Sequence, residues 1–226
     1  MGNRHVVSFV WLALTLEITL PSHAQGVGIA EGSIEANPRR TVVSIDRMRW
    51  LINGQVTYPG SPAEGLLMNV RMVNSTFEDL NREDFDPETN TDRFLKRLPD
   101  YVAHGIRAIT LNLQGGHAGY EGARNSAFDV DGALRDRPLA RIKRVIEACD
   151  SRGVVVIVGC FYQRQDQILR DERAVKTALI NAVSWIKEEK FTNVVLEVAN
   201  EFPHKGFDHP ILRKPEGEVE LIHLAK

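Results

Sequence analysis

Four short apolar runs, each followed by an amphipathic pattern, constrain the fold of this chain more than any other feature of its sequence. The runs cover residues 66–73, 106–113, 154–161 and 194–198, and they are nearly continuous in valine, isoleucine and leucine. Parallel strands that are covered on both faces have this composition, whereas strands with a solvent-facing side alternate apolar and polar residues. The runs therefore predict four buried parallel strands.

The segments between and after these runs repeat apolar residues at the spacing of an α-helix. Three apolar stripes lie within residues 94–102, 139–149 and 174–186, and a fourth helical pattern covers residues 218–226. Gly105 and Gly153 follow the first two stripes where a helix C-cap is expected. Strand–helix alternation with parallel connections leaves two architectures, a doubly wound open sheet or a (β/α)8 barrel, and periodicity alone does not choose between them.

Two tight turns are also predicted. Residues 48–52 and 55–58 flank Asn53-Gly54, the strongest two-residue hairpin signal, so a short β-hairpin is expected before the first parallel strand. The segment 129–132, with the sequence DVDG, is expected to form a turn stabilised by its aspartate side chains, because the flanking positions lack calcium ligands.

The first 24 residues have the layout of a secretory signal peptide. Arg4 precedes an apolar run over residues 6–16 that is too short to cross a bilayer, and Ala24 offers a small residue at a cleavage point. We therefore expect a secreted or periplasmic protein with no membrane attachment after cleavage. Residues 25–47 would then form a polar N-terminal segment, and residues 48–226 the folded domain. Glu17 and His23 depart from the usual layout, so an uncleaved anchor is the alternative.

Composition and cysteine content exclude several classes of partner and cofactor. A formal net charge of −2 with 26% charged residues gives no electrostatic basis for binding nucleic acid or an anionic membrane. Cys149 and Cys160 fall at opposite ends of one predicted helix–strand unit, too far apart for a disulfide, so two buried free thiols are expected. The seven histidines show no metal-ligand spacing, and the glycine-rich residues 26–32 follow no strand, so neither a metal nor a cofactor is expected.

One segment combines a buried strand with polar chemistry at its end, because residues 194–198 run almost directly into Asn200 and Glu201. Active sites of parallel α/β folds are built at the carboxyl ends of the strands. A carboxyl group half shielded there by apolar walls keeps its proton to higher pH and can deliver it to a leaving oxygen. The neighbouring amide suits a sugar hydroxyl. On spacing alone, Glu201 fits the start of a solvated loop equally well.

Residues 196–201, with the sequence LEVANE, resemble the strand-4 signature of clan A glycoside hydrolases, especially family 5 and its cellulase-like relatives. Residues 50–54 resemble the hairpin that precedes the first barrel strand of these enzymes, and residues 127–134 and 151–157 resemble their lead-in to strand 3. The resemblance covers about residues 49–226. It implies a partial (β/α)8 TIM barrel of about four βα units, preceded by a short β-hairpin.

The resemblance also implies roles for individual residues. Glu201 would be the general acid/base, and Asn200 would contact the 2-hydroxyl of a sugar in a polysaccharide or oligosaccharide. Further substrate contacts are expected from amide and aromatic side chains at the same strand ends, namely Asn112, Gln114, Tyr162 and Gln163. Each of these also fits barrel packing or loop anchoring. Thr110 stands where the family usually has an arginine. Arg71 is predicted to be a buried ion-pair partner, with a role at the site as the alternative.

Retaining hydrolysis requires a second carboxylate about 5–5.5 Å from the acid/base, and the resemblance places it on strand 7. Only four strand-like runs are present, and Glu197 precedes Glu201 by four residues, which is about 13 Å along a strand. We therefore expect a truncated or split N-terminal half of a secreted glycoside hydrolase. Its open sheet edges would associate with the missing half or with another copy. Two alternatives stay open: an inactive carbohydrate-binding half-barrel, or an exported α/β domain of unrelated role.

Overall fold

The structure, a computed structural model, describes residues 40–115 and 123–226. The expected signal peptide, residues 1–24, lies outside the described residues, as does most of the segment 25–47. The signal peptide and the export that it implies therefore stay predictions.

Nine strands and four α-helices form the described part of the chain. In chain order the strands are β1 (Val43–Asp46), β2 (Arg49–Ile52), β3 (Gln55–Val56), β4 (Asn69–Arg71), β5 (Glu78–Asp79), β6 (Ala108–Asn112), β7 (Ala123–Arg124), β8 (Val155–Phe161) and β9 (Val194–Ala199). The helices are α1 (Pro87–Ala103), α2 (Asp136–Asp150), α3 (Glu172–Glu188) and α4 (Pro215–Leu224), and single 3-10 turns cover Val73–Ser75, Asp166–Ile168 and Pro210–Leu212. None of the described helices has both the length and the apolar character needed to cross a bilayer.

The strands β4, β6, β8 and β9 form one parallel sheet in that order. Its register aligns Arg71 of β4 with Thr110 of β6, Thr110 with Ile157 of β8, and Ile157 with Val195 of β9. Each strand is followed along the chain by one helix, so the prediction of four βα units is confirmed. β4 and β9 are the edge strands, and among the described residues the sheet does not close into a barrel.

The hydrophobic core lies between the central strands and their helices. Alternate strand residues point into it: Ile109 and Leu111 of β6, and Val156, Val158 and Cys160 of β8. The facing helix residues include Ile142, Val145 and Ile146 of α2, and Val175, Leu179 and Ala182 of α3. Burying each large aliphatic side chain stabilises the fold by about 1.5–3 kcal/mol. Because side chains alternate along a strand, the remaining positions form a second face that includes Arg71, Asn112 and Glu197.

A separate antiparallel sheet of β1, β2 and β3 precedes the parallel sheet. Its β2–β3 hairpin has the predicted Asn53-Gly54 turn, in which both residues have positive φ (52° and 75°). β1 lies at the end of the segment 25–47, where no strand was predicted, although its neighbourhood is rich in β-branched residues. Val43 donates its N–H to the carbonyl of Thr192 (2.9 Å), so this sheet is attached near the amino-terminal end of β9.

The turn at residues 129–132 has the predicted structure. The Asp129 Oδ1 atom accepts the backbone N–H groups of Asp131 (2.9 Å) and Ala133 (3.0 Å). Gly132 adopts a φ of 84°, and a Cβ atom at this position would lie 2.4 Å from the carbonyl oxygen of Ala174 at the start of α3. The turn therefore requires glycine both for its backbone conformation and for its close approach to the helix.

Both cysteines are free and buried, as expected. Burial raises the pKa of the Cys149 thiol to about 12, and burial likewise raises the pKa of Cys160, with a further contribution from the nearby carboxylates of Glu197 and Glu218. Thiols of this kind are inert packing groups rather than nucleophiles.

We predict that Gly132→Ala destabilises the protein more than Gly105→Ala. Both glycines have nearly the same φ (84° and 87°), but a Cβ atom at Gly105 would meet nothing within 4 Å. Gly105→Ala should cost about 1–2 kcal/mol for its left-handed backbone, and Gly132→Ala about 1–3 kcal/mol more for overpacking against α3. Urea unfolding of the two variants measures the difference. Equal losses would contradict the close contact at Gly132.

Candidate active site

The candidate site lies where β8 and β9 end at the same edge of the sheet. The backbone N–H of Asn200 donates to the carbonyl of Phe161 (3.0 Å), which extends the pairing of the two strands by one residue. Gln163 and Glu201 therefore follow the sheet side by side. Glu201 has a positive φ of 54°, and its carbonyl accepts the N–H of His204 (2.8 Å), so the chain turns tightly at this residue.

Three side-chain hydrogen bonds connect four residues in sequence across this edge. Arg71 Nη2 donates to Asn200 Oδ1 (2.5 Å), Asn200 Nδ2 donates to Gln163 Oε1 (3.4 Å), and Gln163 Nε2 donates to Glu201 Oε2 (2.7 Å). The Tyr162 ring lies against the guanidinium group of Arg71, whose Cζ atom is 5.9 Å from the ring centroid. The structure thus brings together Glu201, Asn200, Gln163 and Tyr162 from the predicted set, and adds Arg71.

The contact between Arg71 and Asn200 also reports the shape of the sheet. Arg71 ends edge strand β4, and Asn200 follows edge strand β9, with β6 and β8 between them. Three inter-strand spacings in a flat sheet amount to about 14–15 Å. The two side chains meet because the sheet curves and they project from its concave face. This curvature favours a barrel-like arrangement over a doubly wound open sheet.

Arg71 does not have the buried, ion-paired surroundings that were predicted for it. Arg71 is exposed rather than buried, and among residues 40–115 and 123–226 no carboxylate lies within ion-pair distance of it. The sequence signal that could have placed it at the site is its position as the last residue of the first parallel strand. Strand ends of this kind meet at one edge of the sheet, here the edge that holds Glu201.

Asn112 and Gln114 are not brought to the site. Both side chains are completely buried, and within residues 40–115 and 123–226 none of their amide atoms has a hydrogen-bond partner. Asn112 lies over Gly159, where a Cβ atom would come within 2.6 Å of Asn112 Nδ2 and within 2.9 Å of Glu197 Oε2. In the described part of the chain these two predicted sugar contacts are interior polar groups of the curved sheet.

Glu197 forms the acidic part of this interior. Burial raises the pKa of its carboxyl group; the positive charge of Arg71 partly offsets that rise, and the negative charge of Glu201 adds to it. Burial also raises the pKa of Glu218 on α4, and the Glu197 carboxylate contributes to that rise. One oxygen of each carboxyl group is buried and has no hydrogen-bond partner among the residues that the structure describes. Glu197 is therefore favoured in its protonated form relative to an exposed glutamate.

Exposure differs sharply among the residues of the site. Glu201 is exposed, whereas Asn200 and Gln163 keep only 3% and 6% of their surface accessible. The apolar walls expected around Glu201 are thus not provided by the described residues. The two amides are held almost entirely inside the protein, and they can offer a ligand only the small part of their surface that remains.

A buried hydrogen-bonded pair, Asp166 and His209, connects the loops that follow β8 and β9. Asp166, which is fully buried, accepts the backbone N–H groups of Asp208 (2.8 Å) and His209 (3.1 Å) through Oδ2. The same oxygen lies 2.9 Å from Nδ1 of His209. Sequence reasoning missed this pair, since its members are 43 residues apart and form no motif. It fixes the position of the loop that contains Glu201 relative to the loop that contains Gln163.

The described residues contain no group of three or more histidine, cysteine, aspartate or glutamate side chains that could hold a metal ion. Among the described residues, the contacts at this edge of the sheet bring together the carboxyl group of Glu201, the amides of Asn200 and Gln163, the guanidinium group of Arg71 and the phenol ring of Tyr162.

Two crystal structures from Bacteroides vulgatus ATCC 8482 are similar to this fold. A glycoside hydrolase of family 5 is 14% identical with a TM-score of 0.50, over 82% of this chain and 37% of that chain. A putative glycoside hydrolase is 13% identical with a TM-score of 0.57, over 84% of this chain and 37% of that chain. This chain thus spans about 37% of the length of each. The likeness confirms the expected fold class, a partial barrel of βα units.

No family model matches the chain, and no curated protein matches it in sequence. The similarity to glycoside hydrolases is therefore one of fold.

We predict that the contribution of Glu197 to the thermal stability of the protein falls as pH rises through the pKa of its carboxyl group. A carboxyl group with a raised pKa binds its proton more tightly in the folded state, so the free energy of unfolding decreases as the proton is lost. Glu197→Gln removes this titration. Since solvent partly screens the half-buried carboxylate, the variant should melt about 2 °C higher than the wild type at about pH 8 and at the same temperature at about pH 4.

The matched control is Glu216→Gln, which alters an exposed glutamate on α4 and should follow the wild-type pH profile. An unchanged pH profile in Glu197→Gln would contradict the assignment of the raised pKa to Glu197.

Proposed function

We propose that this chain supplies the acid/base half of a secreted or periplasmic retaining glycoside hydrolase that cleaves O-glycosidic bonds in a polysaccharide or oligosaccharide. The main support is the position of Glu201, an exposed carboxyl group at the carboxyl edge of a curved βα sheet, hydrogen-bonded by Gln163 at 2.7 Å. The fold likeness to two glycoside hydrolases supports the same role, as does the resemblance of residues 196–201 to the strand-4 signature of clan A glycoside hydrolases.

In the proposed reaction, Glu201 donates its proton to the glycosidic oxygen as the bond between that oxygen and the anomeric carbon breaks. A second carboxylate attacks the anomeric carbon from the opposite face and forms a glycosyl ester. The Glu201 carboxylate then accepts a proton from the water that cleaves this ester. Asn200, Gln163 and Tyr162 line the side of the site next to the proton donor.

Glu197 is not proposed as the second carboxylate. It lies four residues before Glu201 on β9, about 13 Å along the strand, and its Oε2 atom is buried over Gly159. We propose instead that the nucleophile comes from polypeptide that adds strands to the open sheet. Exposed apolar side chains at both edges support such packing, namely Leu66 and Met68 beside β4, and Val219, Ile222 and Leu224 on α4.

Azide provides a direct test, because it can attack the anomeric carbon in place of the second carboxylate. The chain is incubated with azide and a panel of β-linked gluco-, manno- and xylo-oligosaccharides, and with the corresponding dinitrophenyl glycosides. Glycosyl azide of inverted configuration is the expected product. Glu201→Gln should slow the formation of glycosyl azide from oligosaccharides by about 10²–10⁴-fold, the usual contribution of a general acid. The variant should react normally with the dinitrophenyl glycosides, because dinitrophenolate departs without needing a proton.

Glu216→Gln serves as the control and should react like the wild type. Oligosaccharide binding without product would favour the alternative, an inactive carbohydrate-binding half-barrel. The absence of both binding and product across the panel would refute a role in carbohydrate chemistry.

A further inference from the structure

The geometry points to Arg71 as a positioning residue that determines which oxygen of Glu201 holds the acidic proton. This inference rests on the proposed role of Glu201 as the general acid/base. It depends on the direction of the three hydrogen bonds that link Arg71, Asn200, Gln163 and Glu201.

Arg71 sets the direction of donation along these hydrogen bonds, because a guanidinium group has N–H donors and no acceptor. The amide atom of Asn200 that faces it must therefore be the oxygen, and the observed contact joins Nη2 to Oδ1 at 2.5 Å. The opposite orientation of the amide would set two donors against each other. Arg71 thus fixes the orientation of a side chain whose oxygen and nitrogen are otherwise interchangeable in shape.

The orientation of Asn200 in turn fixes the orientation of the Gln163 amide. With its oxygen bound to Arg71, Asn200 presents Nδ2 to Gln163 Oε1 at 3.4 Å. Gln163 must then direct Nε2 toward Glu201, where it lies 2.7 Å from Oε2. Because Asn200 and Gln163 are almost completely buried, solvent has little access to replace these partners.

Glu201 Oε2 is consequently an acceptor in both protonation states. A proton on Oε2 would point at the N–H of Gln163, so the carboxyl proton must be on Oε1. Oε1 is then the atom that gives its proton to the leaving oxygen and later accepts one from water. Tyr162 supports the arrangement by holding the guanidinium group against its ring.

The test is made on the full chain without carbohydrate, by infrared difference spectra between acidic and neutral pH and by NMR of the Gln163 side-chain amide. The C=O stretch of protonated Glu201 is identified as the band lost in Glu201→Gln. In the wild type this C=O group is Oε2 and accepts a hydrogen bond. Gln163→Met removes the donor and should shift the band to higher wavenumber, whether or not Arg71 is altered.

Arg71→Met should produce the same upward shift and about tenfold faster solvent exchange of the Gln163 Nε2 protons, the effect of losing a hydrogen bond to a charged group. Arg71→Lys, which retains the charge and the donors, should restore both properties toward wild type. Arg93→Met, at an exposed position on α1, is the matched control and should change neither.

An unshifted band in Gln163→Met would show that Oε2 is not the hydrogen-bonded C=O and would overturn the inference. Unchanged spectra and exchange in folded Arg71→Met would overturn the part assigned to Arg71. Because no carbohydrate is present, either failure is separate from the outcome of the azide experiment on the proposed function.

Discussion

The hydrogen bond between Arg71 and Asn200 joins the two edge strands of the parallel sheet, and the candidate site depends on it. The two side chains can meet only because four strands have already curved into part of a barrel. Arg71 in turn orders the amides of Asn200 and Gln163, and Gln163 binds Glu201. The chemistry at the edge of the sheet therefore depends on its curvature, because a flat sheet would separate Arg71 from Asn200.

Sequence reasoning predicted the four strands, their helices and the position of Glu201, because continuous apolar runs and strand-end carboxylates follow from local patterns. Sequence reasoning failed for side chains whose surroundings depend on contacts between residues far apart in the chain. Asn112 and Gln114 were expected at the site because they end a strand, but the curvature of the sheet places them in its interior beside Gly159. Arg71 was expected to be a buried ion-pair partner, although its position at the end of the first parallel strand could have placed it at the site. Roles for Asn200, Tyr162 and Gln163 stay predictions.

The interior of the curved sheet is unusually polar for a protein core. Asn112, Gln114 and Glu197 have buried atoms with no hydrogen-bond partner in the described part of the chain, and burial raises the pKa of Glu197. Unpaired buried polar groups are costly, about 1–3 kcal/mol each. Glu201 lies outside this interior and is exposed, and its exposure together with the open edges of the sheet is the reason that we propose further strands to complete the site.

The most direct measurement of the central claim, that the edge containing Glu201 binds carbohydrate, is a titration of the ¹⁵N-labelled chain with the panel of β-linked oligosaccharides, followed by NMR. We predict saturable shifts of the side-chain amides of Gln163 and Asn200 and of the backbone at Glu201, with no shifts at the β1–β3 sheet at the opposite end. Shifts confined to residues away from this edge, or no shifts at all with every oligosaccharide, would contradict the claim.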